Sequence, residues 1–376
     1  MKKISKYKID KWVLIPLIIL AIISIVTIYS AGTILPSYLQ NLALRQFIWY
    51  VVGFGLAYFM MFIGNDFIYD HAWALYGIGV LSLIGLFFFG TDINDARCWY
   101  TIPGIGTIQP SEFMKIILII TLGTVIHDFN ENFSNPSLME EFKFLLKVGV
   151  IVLIPSILTF LQPDTGVVLI YLLITFVMLF VSGIRYRWFV IAIALLFTLV
   201  SIILGIYFIN QDLFVDIFGT SFFLRVDRLL DWSNKSGYQL ENGLLSIGSG
   251  GIFGTGIRNT PLYFPEAQTD FVFAVYASNF GFIGSMCLIL LLLFFDIRLI
   301  QIALKSRSNK NKYVIAGIVG MLIYQQIQNI GMTIGLMPIT GITLPFISYG
   351  GSSLLSYMIM AGIIFNISNE TLRYTN

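Results

Sequence analysis

The chain has 376 residues, of which 57% are hydrophobic and only 11% charged, with a mean hydropathy of +0.86 and a net charge of +2. That balance belongs to polytopic membrane proteins, not to a soluble domain. It also argues against nucleic-acid binding, because the few basic residues stand in short clusters between apolar runs and form no continuous stripe.

Five lysines precede Lys11's neighbour Trp12 or stand at that boundary, and an apolar run from Trp12 to Tyr29 follows. This could imitate a secretion signal ending near Ser30-Ala31-Gly32, but the head of a many-span chain reads better as a retained first helix. Runs able to cross about 30 Å of hydrocarbon are expected near 12–30, 46–63, 72–89, 113–127, 144–161, 166–182, 188–209, 271–297, 313–336 and 352–367. The expected fold is therefore an all-α polytopic membrane protein of ten transmembrane helices, one domain over 1–376, with a large loop at about 210–270 between helices seven and eight. Placing both termini on one side puts 15 Lys and Arg there and 7 on the other, among them Arg225, Arg228 and Lys235 of the long loop. Positive residues stay inside, so both termini are expected in the cytoplasm and the long loop outside.

Cys98 in a polar loop and Cys287 in an apolar run offer neither a disulfide nor metal-ligand spacing. The glycines from Gly248 to Gly256 fit neither dinucleotide nor phosphate-loop spacing, and read as a flexible or closely packed loop. His71 and His127 are assigned no role.

Charge inside a membrane helix costs about 2.5–3.5 kcal/mol, and here charges gather on the outer side: Asp92, Asp95, Arg97, Glu112, Lys115, Asp164, Asp231, Glu266 and Asp270 among them. Polar signatures open four helices at that face, at Gln109-Pro-Ser-Glu112, Gln162-Pro-Asp164, Thr269-Asp270 and Ser348 to Ser353. Their free N–H groups and partial positive charge would converge on one cavity suited to an anion such as a diphosphate. For Ser111, Asp164, Thr269 and Ser352 the competing reading is an ordinary N-cap; for Glu112 and Lys115, a simple i, i+3 pair; for Trp99, an interfacial anchor. The prolines and glycines of Gly335–Gly351 suggest a broken or re-entrant segment lining the cavity, or else a tight loop.

These motifs together resemble the SEDS family of bacterial cell-shape, division and sporulation proteins. The resemblance rests on Arg97-Cys-Trp99, Gln109–Glu112 with Lys115, Leu161–Gly166, Gly237–Gln239, Gly248–Gly251, Pro265–Phe271 and Pro345–Ser353, and spans nearly the whole chain. It implies a peptidoglycan glycosyltransferase that polymerises lipid II at the outer face of the cytoplasmic membrane beside a class B penicillin-binding protein. It assigns the essential carboxylate to Asp270, here the general base; Arg97, Trp99, Glu112, Lys115, Asp164, Gln268, Thr269, Ser348 and Ser352 are the expected substrate-binding residues. Arg97 and Lys115 would meet the diphosphate. No cofactor is assigned, and a divalent cation, Mg or Mn, is left open. Asn329–Met332 and Gly335–Ile342 look more like the elongation branch than the division branch. Ser278-Asn279 stands where relatives usually carry an acidic pair, Gln268 where His is frequent, and Cys98 where a second basic residue is common. A transporter of the same lipid precursor, or a non-catalytic scaffold in which Asp270 only caps its helix, are the alternatives.

Overall fold

The computed structural model describes residues 7–36, 39, 41–93, 96–104, 106–220, 222–223, 226–227 and 237–374. Asp95, Arg225, Arg228, Asp231 and Lys235 of the sequence reading lie outside them.

Ten long helices coincide with the ten apolar runs: α1 (Lys11–Ala31), α2 (Leu42–Ile63), α4 (Ala72–Phe89), α5 (Pro110–Asn132), α6 (Leu138–Leu161), α7 (Thr165–Val181), α8 (Tyr186–Ile209), α11 (Val272–Lys305), α12 (Asn309–Thr333) and α13 (Gly351–Tyr374). Three short ones, α3 (Asn65–Asp70), α9 (Gln211–Phe218) and α10 (Tyr238–Ser249), complete the described set. Eight helices are long and apolar enough to cross a membrane. Of the other two long ones, α7 has only 17 residues, and α5 carries Glu112, Lys115, Asp128 and Glu131 within its length.

Local chemistry fixes the helix starts. The Asp10 carboxylate accepts from Trp12 N at 3.0 Å to begin α1, Ser137 and Glu140 form a reciprocal capping box at α6, and Pro110 sits at the first position of α5, where its missing N–H costs nothing.

The expectation of an all-α chain needs correcting. Between α4 and α5 lies a three-stranded antiparallel sheet of β1 (Thr91–Ile93), β2 (Ala96–Ile102) and β3 (Gly106–Ile108), pairing Thr91 with Trp99 and Thr101 with Thr107. Two of its strands are three residues long, too short to show an alternating pattern. Pro103 followed by Gly104 at φ 81° reverses the chain between β2 and β3.

A second departure lies inside α11. Gly281 takes φ 65° and ψ −163°, which breaks the helical path. The glycine loop after α10 packs into the break: Thr255 N and Gly256 N donate to the carbonyls of Ser278 and Asn279 at 2.9 and 3.1 Å, while Phe282 N and Ile283 N donate back to Gly251 and Ile252 at 2.9 and 3.1 Å. A Cβ on Gly250 would stand 2.5 Å from the Ala277 carbonyl oxygen, so the loop is a close-approach seam. Ser278 and Asn279, fully or nearly buried, belong to this seam.

Helix α5 runs through the core, buried along most of its length, with α7, α12 and α13 around it. Helix α8 is the opposite: Tyr207 is its one buried residue among those described.

Candidate active site

The starts of α5, α7, α11 and α13 and the irregular segment before α13 enclose a cavity of about 660 Å³. Glu112, Asp164, Glu266, Thr269, Asp270, Trp99 and Ser352 line it, as do Thr340–Thr343 and Tyr349–Gly351. The sequence expectation that four helix beginnings share one cavity agrees with this arrangement, and Gly335–Gly351 lines it as a broken segment.

Asp270 stands before the first turn of α11 and does not cap it: the N-cap position is Phe271, with no side-chain capping bond. Among the described residues no donor reaches its carboxylate. Burial, then the neighbouring Glu266 and Asp164 carboxylates, push its pKa up to about 7. The opposing pull of the helix N-terminus on a carboxylate is therefore outweighed. Ser278 and Asn279 line the seam and not the cavity, so their departure from the usual acidic pair leaves this environment alone.

Glu266 builds the turn that presents Asp270. At φ 53° it holds a conformation unusual for a side-chain-bearing residue. Its carboxylate accepts from Thr269 Oγ1 at 2.7 Å and Gln268 Nε2 at 3.2 Å, and its carbonyl accepts from Phe271 N at 3.1 Å. Thr269 is thus no cap.

Asp164 does cap its helix, accepting from Val167 N at 3.3 Å, and also accepts from Gln109 Nε2 at 2.8 Å and Ser111 Oγ at 3.2 Å. Ser111 binds that carboxylate and is no cap. Burial and then Glu112 nonetheless raise the Asp164 pKa. Ser352 accepts from Gln109 N at 2.9 Å and donates to the Thr107 carbonyl at 3.3 Å, tying α13 to the β3–α5 junction. Trp99 lines the cavity from β2, whose neighbour Cys98 donates to the Gln162 carbonyl at 2.7 Å; burial, then Asp164, push this thiol up to about 12.

Four residues expected in the site are absent from the cavity wall. Lys115 is fully buried behind it, donating to Glu112 at 2.8 Å with its ammonium 5.3 Å from the Tyr357 ring. Arg97 faces away, bound through Nε and Nη2 to Asp92 at 2.9 and 2.6 Å on an exposed hairpin. Gln268 and Ser348 act on the backbone of the Asp270 turn: the Gln268 carbonyl accepts from Tyr349 N at 2.8 Å, and the Ser348 side chain donates through Oγ to the Thr269 carbonyl at 2.7 Å.

Among the described residues, the cation that does line the cavity is Arg45, on the first turn of α2. Trp49, one turn on, lies against the start of α13, where a Cβ on Gly351 would meet its indole at 2.7 Å. The apolar run expected from residue 46 stops one position short of Arg45, whereas the helix begins at Leu42. The i, i+4 spacing of Arg45 and Trp49 is the signal that marks one helix face. Gln325 and Gln109 line the cavity as well.

The family described as "Cell cycle protein" (FtsW, RodA, SpoVE) matches residues 10–373. The chain belongs to this family. It is 36% identical over 297 residues to the "Probable peptidoglycan glycosyltransferase FtsW" of Bacillus subtilis, covering 77% of this chain and 72% of that one. It is 28% identical over 432 residues to the "Peptidoglycan glycosyltransferase RodA" of Treponema pallidum, covering 96% and 98%. Among solved structures it is similar to a chain of a peptidoglycan synthase complex, with a TM-score of 0.79 and 26% identity over 96% of this chain and 98% of that one. The family and the apolar helices make this a multi-pass membrane protein.

Proposed function

We infer that the chain is a peptidoglycan glycosyltransferase that polymerises lipid II into glycan strands. The observation that carries this is Asp270, a carboxylate without a hydrogen-bond partner among the described residues, poised near neutrality in a cavity of about 660 Å³. The cavity opens at the outer face of the bacterial cytoplasmic membrane, with ten helices crossing, both termini inside, and residues 210–270 outside. A class B penicillin-binding protein, the cross-linking enzyme, is the proposed partner, and cell elongation the proposed role.

Asp270 takes the proton from a sugar 4-hydroxyl as that oxygen attacks the anomeric carbon of a second, lipid-linked sugar. The new O–C bond forms on the face opposite the departing diphosphate, whose C–O bond breaks with its electron pair, so the carbon inverts. Arg45 and the N–H groups at the helix starts receive the growing negative charge. Lys115 neutralises Glu112 and keeps that wall from adding a further free anion. Asp164, Thr269, Trp99 and Ser352 shape the headgroup site, Gln268 and Ser348 hold its backbone, and Arg97 braces the hairpin that carries Trp99. Among the described residues no three His, Cys, Asp or Glu side chains are grouped to hold a metal ion. A divalent cation has no ready-made ligand set among them.

The scaffold reading required Asp270 to be a cap, and it makes no capping bond. The test uses the purified chain with its partner and labelled lipid II. Asp270→Asn should abolish strand formation while the protein stays folded; a parental rate in that variant would remove the general base. Translocation of labelled lipid by a parent that makes no strands would favour a transporter.

A further inference from the structure

A base with no hydrogen bond on its carboxylate cannot be aimed by that carboxylate, so its direction must come from its backbone. Three consecutive carbonyls of the Asp270 turn are each taken by a donor from the C-terminal part of the chain: Gln268 by Tyr349 N at 2.8 Å, Thr269 by Ser348 Oγ at 2.7 Å, and Asp270 by Asn329 Nδ2 at 2.8 Å. Asn329 differs from the other two. Its Nδ2 also donates to the Ile342 carbonyl at 2.7 Å, so one side-chain amide joins the base to the Thr340–Thr343 wall of the cavity. A Cβ on Gly341 would stand 3.5 Å from Asp270 Oδ2, which shows how closely that wall approaches the carboxylate.

Asn329 is fully buried, and its Oδ1 has no partner among the described residues. An amide that spends both N–H groups and leaves its oxygen bare is a poor choice for stability alone. A packed apolar side chain would spare that oxygen but leave the Asp270 and Ile342 carbonyls without this donor.

We propose that Asn329 is the positioning residue for Asp270: its amide clamps the Asp270 and Ile342 carbonyls together and so sets the distance between the base and the cavity wall against which the acceptor sugar lies. The proposal rests on the general-base reading of Asp270. Asn329 touches no substrate, and its effect passes through the backbone of residue 270.

Misplacing a reacting group by about 1 Å costs roughly 100-fold in rate. Asn329→Leu, of similar shape without the donors, should therefore lower kcat for lipid II polymerisation about 100-fold while KM stays within about twofold. The charged and titratable groups that line the cavity with the carboxylate are Glu266 on its own turn, Asp164 at the start of α7, Glu112 from α5, Arg45 from α2, Cys98 from β2 and Tyr349 before α13. Released from the clamp, the carboxylate relaxes toward water and away from Glu266, so the acidic limb of the kcat profile should move below its parental position. A substitution that merely lowered the folded fraction would leave that limb in place.

The experiment measures kcat, KM and the pH profile of the purified chain with its partner, for the parent, Asn329→Leu, Asn329→Ala and Asp270→Asn. Asn329→Ala removes the amide donors without adding bulk or charge, and it carries the test if the leucine variant is not recovered folded. A kcat above half the parental value, or a fall in kcat with the acidic limb unmoved, overturns the proposal. A parental rate in Asp270→Asn overturns the general-base reading itself, and the positioning proposal with it.

Discussion

Lys115 donates to Glu112 at 2.8 Å with no exposure of its own side chain and 9% for its partner's. Breaking such a pair strands a buried charge, which costs about 3–5 kcal/mol, whereas removing both charges together is often neutral. Lys115→Met should lower the melting temperature sharply, and Glu112→Gln combined with it should recover most of the loss. Thermal unfolding of the three variants in detergent checks this; equal destabilisation by the single and double changes would refute it.

The Asp270 pKa of about 7 carries two opposite consequences. Activity needs the ionised form, so kcat should rise with pH and reach half its plateau near 7. Stability runs the other way. The native carboxyl binds its proton more tightly than the unfolded one, whose pKa is about 3.9. Stability therefore declines as pH rises between about 4 and 7. Asp270→Asn should melt higher than the parent at pH 8, and the gap should shrink as pH falls toward 5.

Arg45 and Arg97 should separate cleanly. Arg45→Gln removes the cavity's lining cation and should raise KM for lipid II and lower kcat, together by about tenfold or more in kcat/KM. Arg97→Gln, which loses an exposed pair with Asp92, should change kcat/KM by less than about twofold. Steady-state kinetics of both decide it, and the reverse order would return the diphosphate to the hairpin.

Gly281 holds the break in α11 at φ 65°, and a Cβ there would stand 2.6 Å from the Ile252 carbonyl oxygen. Gly281→Ala should cost about 1–3 kcal/mol and loosen the glycine loop. Faster amide exchange at Thr255, Gly256, Phe282 and Ile283 is the expected signature.

The ten long helices were legible because long apolar runs leave the backbone only one way to satisfy itself in hydrocarbon. The sheet was hidden by strands too short to alternate. Among the site residues, a carboxylate beside a helix start was visible, but the destinations of hydroxyls were not. Ser111 and Thr269 look like caps in sequence and instead donate to Asp164 and Glu266. The Glu112–Lys115 pair is legible as an i, i+3 spacing, but the Asp92 partner of Arg97 is not, because sequence gives charge without giving the hairpin that joins them. Arg45 escaped through a boundary error of one turn, since α2 begins at Leu42.

The segment that donates to the Asp270 turn is itself gripped from the other end of the chain. Phe346 takes φ 63°, and three consecutive carbonyls are held there: Phe346 by Tyr50, Ile347 by Ser24 Oγ at 2.7 Å, and Ser348 by Gln46 Nε2 at 3.2 Å. The grips come from α1 and α2, 296 to 323 residues earlier in the chain. A nascent chain that stops short of Phe346 thus carries its base, its arginine and most of the long helices, yet lacks the piece that brings them to bear. Assembly of the site waits in biosynthesis for that segment to be made.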